Sequence, residues 1–338
     1  MRLVNTIDKG HNYNMMDVWK LVMAYGVILY HSNPLANCEN DIFTDIVQFF
    51  IDMINPFFFV SAGYFLFISM NKPGVDKENK IKKYLYKAIK MYVITTLVSF
   101  PLTVYGYIES GNSLFNCVLS YIKYFLFVGK LYNSYHLGFM LSLIYAVSAI
   151  LFFVKKQIKE EYIFLIGFLF YTFYEIMYIG ILNQSMLSGI LEKAVKLYFF
   201  VFNYGAVFAG LVYVGLGLLI AKHKKYLNMW ISLIGLMVIQ VLKKYTGFTI
   251  TEYMRILEIL LLFMILLNIK LPNSKCYPYI RNMCMLIYLS HLIFLSIYTF
   301  LIIGEPNKFG VDTFLVTLVC STVFAFIVTY FKFKRVRT

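Results

Sequence analysis

An integral membrane protein built only of helices, with about ten spans, is the fold class this sequence predicts. Three observations carry that expectation. The 338 residues are 60% hydrophobic and 14% charged, with a mean hydropathy of +0.71, which is more apolar surface than a water-soluble domain of this size can hide. The apolar residues fall in blocks of about 17 to 25, the length that crosses roughly 30 Å of hydrocarbon as helix. The charged residues punctuate those blocks instead of alternating with apolar ones, which argues against both a soluble α/β fold and a β-barrel.

Taken in order, the first block covers 17–33 and follows the polar start MRLVNTIDKGHNYNMMD. That start offers no small-residue cleavage site, so the span is expected to be retained, not removed as a signal peptide. The second, 46–70, carries a kink-prone Pro56, and the third, 84–108, follows the basic run KPGVDKENKIKK. The stretch 114–131 is short and contains Lys123 and Lys130, which favours an amphipathic segment lying in the interface over a span. The remaining blocks are 136–154, 162–182, 197–221, 226–242, 255–271, 283–303 and 313–331. The spaced glycines of GLVYVGLGLLI fall inside one of them, where they read as packing residues. One polytopic membrane domain, 1–338, is expected, with no soluble domain or repeat.

The net charge of +14 then becomes an orientation signal. Cytoplasmic N- and C-termini put 23 of the 31 Lys and Arg on the inner side and 8 on the outer. The first outer loop, NPLANCENDIFTD, holds Glu39, Asp41 and Asp45 and no basic residue. Nucleic acid is therefore not an expected partner; membrane lipid is. Cys38, Cys117, Cys276, Cys284 and Cys320 show no metal-ligand spacing, no metal site is expected, and the odd count gives no disulfide framework. Phosphate-loop, zinc-protease and nucleophile-elbow motifs are absent.

Ionisable groups inside spans are costly unless paired or solvated, so each is a candidate for function. In the first span Asp17 and Lys20 lie at i, i+3 and can pair at the inner boundary. His31 follows Lys20 by eleven residues, on the same helical face and about 16 Å further along the axis, too far to touch it. Taken alone, Lys20 reads first as a snorkelling anchor and only then as a ligand contact, and His31 reads first as a helix-end hydrogen-bonder. By depth, Asp52 in the second span, His136 at the start of the fourth and Glu175 in the fifth fall level with His31. Two imidazoles and two carboxylates at one level form a general-base constellation, or else bonds that cross-link helices. Arg255 and Glu258, at i, i+3, look like a local ion pair. In the ninth span Arg281 sits at the inner mouth and His291 near mid-membrane, lining a route or bonding across to another helix. Ser61 and Gly63 form a small-residue packing surface.

The D-x-x-K of span one with its histidine eleven residues on, then PFFFVSAGYFLF, YHLGFML and LIYLSH, resembles the acyltransferase 3 family of membrane acyltransferases over nearly the whole chain. Lys20 stands where that family has arginine, and Gly138 where its fourth-span motif has tryptophan. The resemblance implies an O-acyltransferase of the bacterial cytoplasmic membrane, moving an acyl group, commonly acetyl, from acyl-CoA (acetyl-CoA) to a cell-envelope glycan or lipid-linked sugar. It implies polysaccharide-synthesis proteins as partners. His31 would be the essential base, oriented by Asp52 or Glu175 with His136 nearby. Lys20, Asp17 and Arg281 would hold the CoA end, and the pantetheine arm would pass His291. The membrane half of the serine racemases associated with vancomycin resistance looks like the same family, and such domains are thought to move an amino acid. A transporter of a small polar solute such as serine is therefore the rival reading, and a non-catalytic partner in polysaccharide export a third.

Overall fold

The computed structural model describes residues 13–35, 41–182, 188–203, 206–223, 227–305 and 308–335. Cys38 and Glu39, in the acidic first loop, lie outside them. The described residues form twelve α-helices: α1 (Asn14–Ser32), α2 (Asp41–Met70), α3 (Lys77–Glu109), α4 (Leu114–Lys123), α5 (Leu137–Lys155), α6 (Glu160–Leu182), α7 (Gly189–Phe202), α8 (Gly210–His223), α9 (Met229–Lys243), α10 (Phe248–Asn268), α11 (Tyr277–Ile297) and α12 (Val311–Arg335). Two π-helical turns, Tyr124–Val128 and Tyr298–Ile303, extend α4 and α11. Each turn is stopped by a glycine in the left-handed region, Gly129 at φ 72° and Gly304 at φ 74°. No β-strand occurs among the described residues.

Every expected block is helical, with one correction. The block 197–221 was expected as one span, but α7 ends at Asn203, whose backbone turns to φ 49°, and α8 starts only at Gly210. The polar Asn203 interrupts the apolar run, but one such residue barely lowers a window average, so hydropathy alone hides the break. The stretch 114–131, expected to lie in the interface, forms the short α4 with its π-turn; α4 is capped by Ser113, whose hydroxyl accepts the Asn116 N–H. Among the described residues six helices, within Phe43–Met70, Lys77–Glu109, Leu137–Lys155, Glu160–Leu182, Tyr277–Ile303 and Val311–Arg335, are long and apolar enough to cross a membrane. The chain thus has the build of a multi-pass membrane protein.

The helices group into two compact units: Met1–Ile54, Tyr226–His291 and Lys308–Thr338 in the first, Asn55–Lys225 and Leu292–Asn307 in the second. In the first unit α12 returns along α1 and α11. Its start is tied to the end of α1 by the Gly310 N–H to the Ser32 carbonyl (3.0 Å). Its other end meets the start of α11, where Asn282 Nδ2 donates to Thr329 Oγ1 (2.7 Å) and Lys332 donates to Asn282 Oδ1. Ala24, Ile28, Cys284, Ile287 and Ala325 are packed between them. α9 and α10 form an antiparallel pair.

In the second unit α8 is the central helix, buried almost all round. Its neighbours come close because glycines let them. A Cβ on Gly63 would lie 2.0 Å from the Val214 carbonyl oxygen, and one on Gly217 would lie 2.2 Å from that of Val60. Gly167 meets the backbone of Leu211 and Val212 in the same way.

Candidate functional site

The first unit concentrates ionisable side chains inside apolar helices, in two groups. On α1 the carboxylate of Asp17, with its side chain only 3% exposed, receives both arms of the Arg281 guanidinium: Nε to Oδ1 at 3.0 Å and Nη2 to Oδ2 at 2.5 Å. This fork geometry is the strong form of the pair. Lys20 Nζ is 3.7 Å from the same carboxylate, one turn along α1. The expected i, i+3 pair therefore exists, but Arg281 holds the carboxylate more tightly. Asn14, at the start of α1, ties it to the segment between α10 and α11 by donating to the Leu271 and Pro272 carbonyls at 3.3 and 3.1 Å.

Towards the other end of α1 the rings of His31 and His291 lie 5.3 Å apart between centroids. Asp17 meets Arg281 and His31 meets His291, so α1 and α11 run parallel, with contacts separated by about 21 Å of one helix and 15 Å of the other. The long Arg281 side chain takes up the difference. His291 is fully buried, and its Nδ1 lies 2.7 Å from the Tyr288 carbonyl. A carbonyl only accepts, so Nδ1 carries the hydrogen and Nε2 is the lone-pair nitrogen of the neutral ring. His31 is flanked on its other side by Tyr30, edge to face at 4.9 Å. The sequence placed the two histidines as successive stations; the structure puts their rings against each other.

The second group joins α2, α9 and α10. Arg255 reaches Asp52 (3.1 Å) and Glu252 (2.5 Å), and Lys243 reaches Glu258 (3.1 Å) and Asp52 (4.0 Å). Gln240 donates to Glu258 and Gln48 to Asp52 (2.8 Å). This corrects the expected Arg255–Glu258 pair: Arg255 turns to Glu252 and Asp52, while the wholly buried Glu258 takes Lys243. Asp52, expected to orient His31, is held in this network by two cations and an amide. His136 and Glu175, both buried, belong to the second unit, at the N-terminus of α5 and on α6. Among the described residues no group of three or more His, Cys, Asp and Glu is placed to hold a metal ion.

Sequence reasoning missed Lys243, Glu252 and Gln240 as site residues. Lys243 and Glu252 fall one and three residues outside the blocks 226–242 and 255–271. A charge-spacing signal was there, since Glu252 and Arg255 are at i, i+3.

Two curated proteins similar to this chain are both named amino-acid racemase and both come from Enterococcus faecalis. One is 25% identical over 346 residues, covering 96% of this chain and 47% of that protein. The other is 30% identical over 169 residues, covering 49% of this chain and 22% of that protein. No family model matches, and no solved structure matches. The resemblance to the acyltransferase 3 family is corrected by these findings: its motifs are short and loose, no model of that family matches, and the relatives carry a different name. The chain spans about half the length of the curated relatives it matches.

Proposed function

We propose that this chain is a membrane module that binds an amino acid, with serine as first candidate, and moves it across the bilayer. The observation that carries the reading is the polar ladder of α1 and α11: Asp17, Lys20 and Arg281 at one end and the His31–His291 ring pair further along. Intramembrane ionisable residues mark solute and proton pathways. The three named groups at the first end sum to one positive charge, suited to a carboxylate. The histidine pair offers ring nitrogens to a hydroxyl or an ammonium. The class of solute is supported by the racemase name of relatives that match 96% and 49% of the chain. Acyl transfer has lost the resemblance that suggested it.

The same name favours a second reading, racemisation. That reaction removes the α-proton from one face of the amino acid and returns one to the other, so it needs bases on both faces. His31 and His291 are two such bases, but rings 5.3 Å apart leave no gap for a substrate between them without movement.

Purified protein reconstituted in liposomes and offered radiolabelled L-serine should accumulate or exchange it. His31→Ala and His291→Gln should each reduce the rate about tenfold or more while the thermal transition of the protein changes little. The vesicle contents should keep their chirality. Conversion to D-serine would replace transport by racemisation. Absence of uptake of any common amino acid by folded protein would overturn the proposal, as would CoA release from acetyl-CoA that depends on added envelope glycan.

A further inference from the structure

The second unit contains a cavity of about 240 Å³ at the C-terminal end of α3, lined by Gly106, Glu109, Ser110, Tyr132, Asn133, Tyr135 and Phe300. Its chemistry is narrow. There is one carboxylate, there are three aromatic rings, and there is no basic side chain. We propose that this cavity binds a small organic ammonium, with Glu109 as counter-ion and the ring faces of Tyr132, Tyr135 and Phe300 as its walls. Aromatic faces attract an alkylammonium through their negative quadrupole, and a carboxylate adds direct charge attraction. A hard metal cation favours several charged oxygens, and this lining offers a single carboxylate. An anion would find neutral donors on Ser110, Asn133 and the tyrosines, but no cation and the repulsion of Glu109.

The parts of the cavity are fixed in place, which keeps the entropy of binding low. Tyr105, just outside the lining, donates its hydroxyl to Glu109 Oε1 (2.7 Å), and its ring lies 5.4 Å from that of Phe300. It is thus a positioning residue for both. The loop carrying Tyr132 and Tyr135 is pinned to α3 twice, by Thr103 Oγ1 to the Tyr132 carbonyl (2.9 Å) and by Asn133 Nδ2 to the Leu102 carbonyl (3.0 Å). Asn133 adopts φ 56°, a turn that asparagine tolerates better than most residues. Tyr132 lies directly on the backbone of α3, where a Cβ on Gly106 would come within 2.8 Å of it, and its ring meets Tyr107 edge to face at 4.8 Å. Phe300 comes from the π-helical turn that ends α11, and such turns are frequent at functional sites. All of this belongs to the second unit and stands whether or not the α1–α11 ladder carries a solute.

The test uses the full chain in nanodiscs of phosphatidylglycerol, with equilibrium dialysis of radiolabelled ethanolamine and competition by tetramethylammonium. Saturable binding displaced by tetramethylammonium but not by acetate is expected. Glu109→Gln, a change at an exposed position that folding tolerates, should weaken it about tenfold. Phe300→Leu should weaken it severalfold, and Tyr105→Phe should do so to a smaller degree, with affinity restored by the native tyrosine alone. Discs containing phosphatidylethanolamine separate the two sources of such a group: reduced binding assigns the site to the lipid headgroup, and unchanged binding assigns it to a free amine. Lack of saturable binding of either ammonium probe, or equal binding by folded Glu109→Gln, would overturn the proposal. Either result leaves the serine-uptake measurement untouched, so the two proposals fail separately.

Discussion

The two units of this chain hold their helices together by different means. The first relies on charge: Asp17 with Arg281 and Lys20, and Asp52, Glu252 and Glu258 with Arg255 and Lys243. The second relies on close approach: Gly63, Gly167 and Gly217 let backbones touch around α8, and Ser142 bonds the chain leading into α8. In hydrocarbon there is little hydrophobic drive to pull helices together, so packing of small residues and polar bonds are the available means. The second unit has an ion pair of its own, Lys222 with Glu160 and Glu161, but those carboxylates are 19% and 45% exposed, whereas Asp17 and Glu258 of the first unit are 3% and 0% exposed. Buried charge costs more than helix assembly requires, and that is the physical reason to look for solute handling in the first unit.

The comparison breaks most sharply if the glycines are not required. In Gly63→Ala the new methyl would have to sit 2.0 Å from a backbone carbonyl oxygen on α8, and backbone cannot swing aside as a side chain can. The expected outcome exceeds the roughly 1–3 kcal/mol of ordinary overpacking: no monodisperse protein in size-exclusion chromatography after detergent extraction. Normal yield and an unchanged thermal transition would show that this packing is looser than it looks.

Arg281→Ala is the matching test in the first unit. It leaves the buried Asp17 carboxylate without its forked partner; because the Arg281 side chain is half exposed and Lys20 stays 3.7 Å away, the expected loss is about 1–3 kcal/mol, below that of a fully buried pair. The double variant Asp17→Asn/Arg281→Gln removes both charges and should recover much of the thermal stability while serine uptake stays lost. If the double variant also regains uptake, the pair is structural and the functional weight shifts along α1 to His31.

Ser142 allows a finer comparison, because the second unit also uses polar bonds: a partly exposed ion pair of Lys222 with Glu160 and Glu161 where α8 meets α6, and buried neutral bonds at Ser142. Its hydroxyl lies 3.1 Å from the carbonyls of Ala206 and Val207 and receives the Gly210 N–H at 3.1 Å, where α8 begins. Ser142→Ala leaves the first N–H of α8 without that acceptor and should lower stability by about 1–3 kcal/mol, read from the thermal transition in detergent. Uptake by the surviving folded protein should be unchanged, since no charge is altered.

How much of this was legible in the sequence follows from the same physics. The helical blocks were, because twenty apolar residues in a row have few other fates. The break at Asn203 was not, since one polar residue within an apolar run suits a continuous helix as well as a turn. Asp17, Lys20, His31, Asp52, Arg281 and His291 stood out as charges in apolar surroundings. Their partners did not: whether Arg281 meets Asp17 depends on which helices lie side by side, and spacing along one helix gives only i, i+3 and i, i+4 neighbours. That is why Arg255 was matched to Glu258 on its own helix, when Asp52 from α2 was an equal competitor. Lys243 escaped because it closes α9 one residue beyond the apolar block. The cavity by Glu109 was invisible because its lining comes from the end of α3, a loop and a π-turn, spread over nearly two hundred residues of sequence.

The smallest expected effect tests whether burial, not mere pairing, gives the first unit its character. Lys244 and Asp45 are 3.4 Å apart, a separation like that of Lys243 and Glu258, yet their side chains are 71% and 64% exposed against 13% and 0%. Water screens the exposed pair and competes for both groups, so Lys244→Ala should shift stability by less than about 1 kcal/mol. Lys243→Ala, one residue earlier, strips the wholly buried Glu258 of its cation and should shift it several times as far. Adjacent lysines giving equal shifts in the same thermal assay would mean that water reaches Glu258 as freely as it reaches Asp45, and the contrast between a charged interior and a glycine-packed one would lose its physical basis.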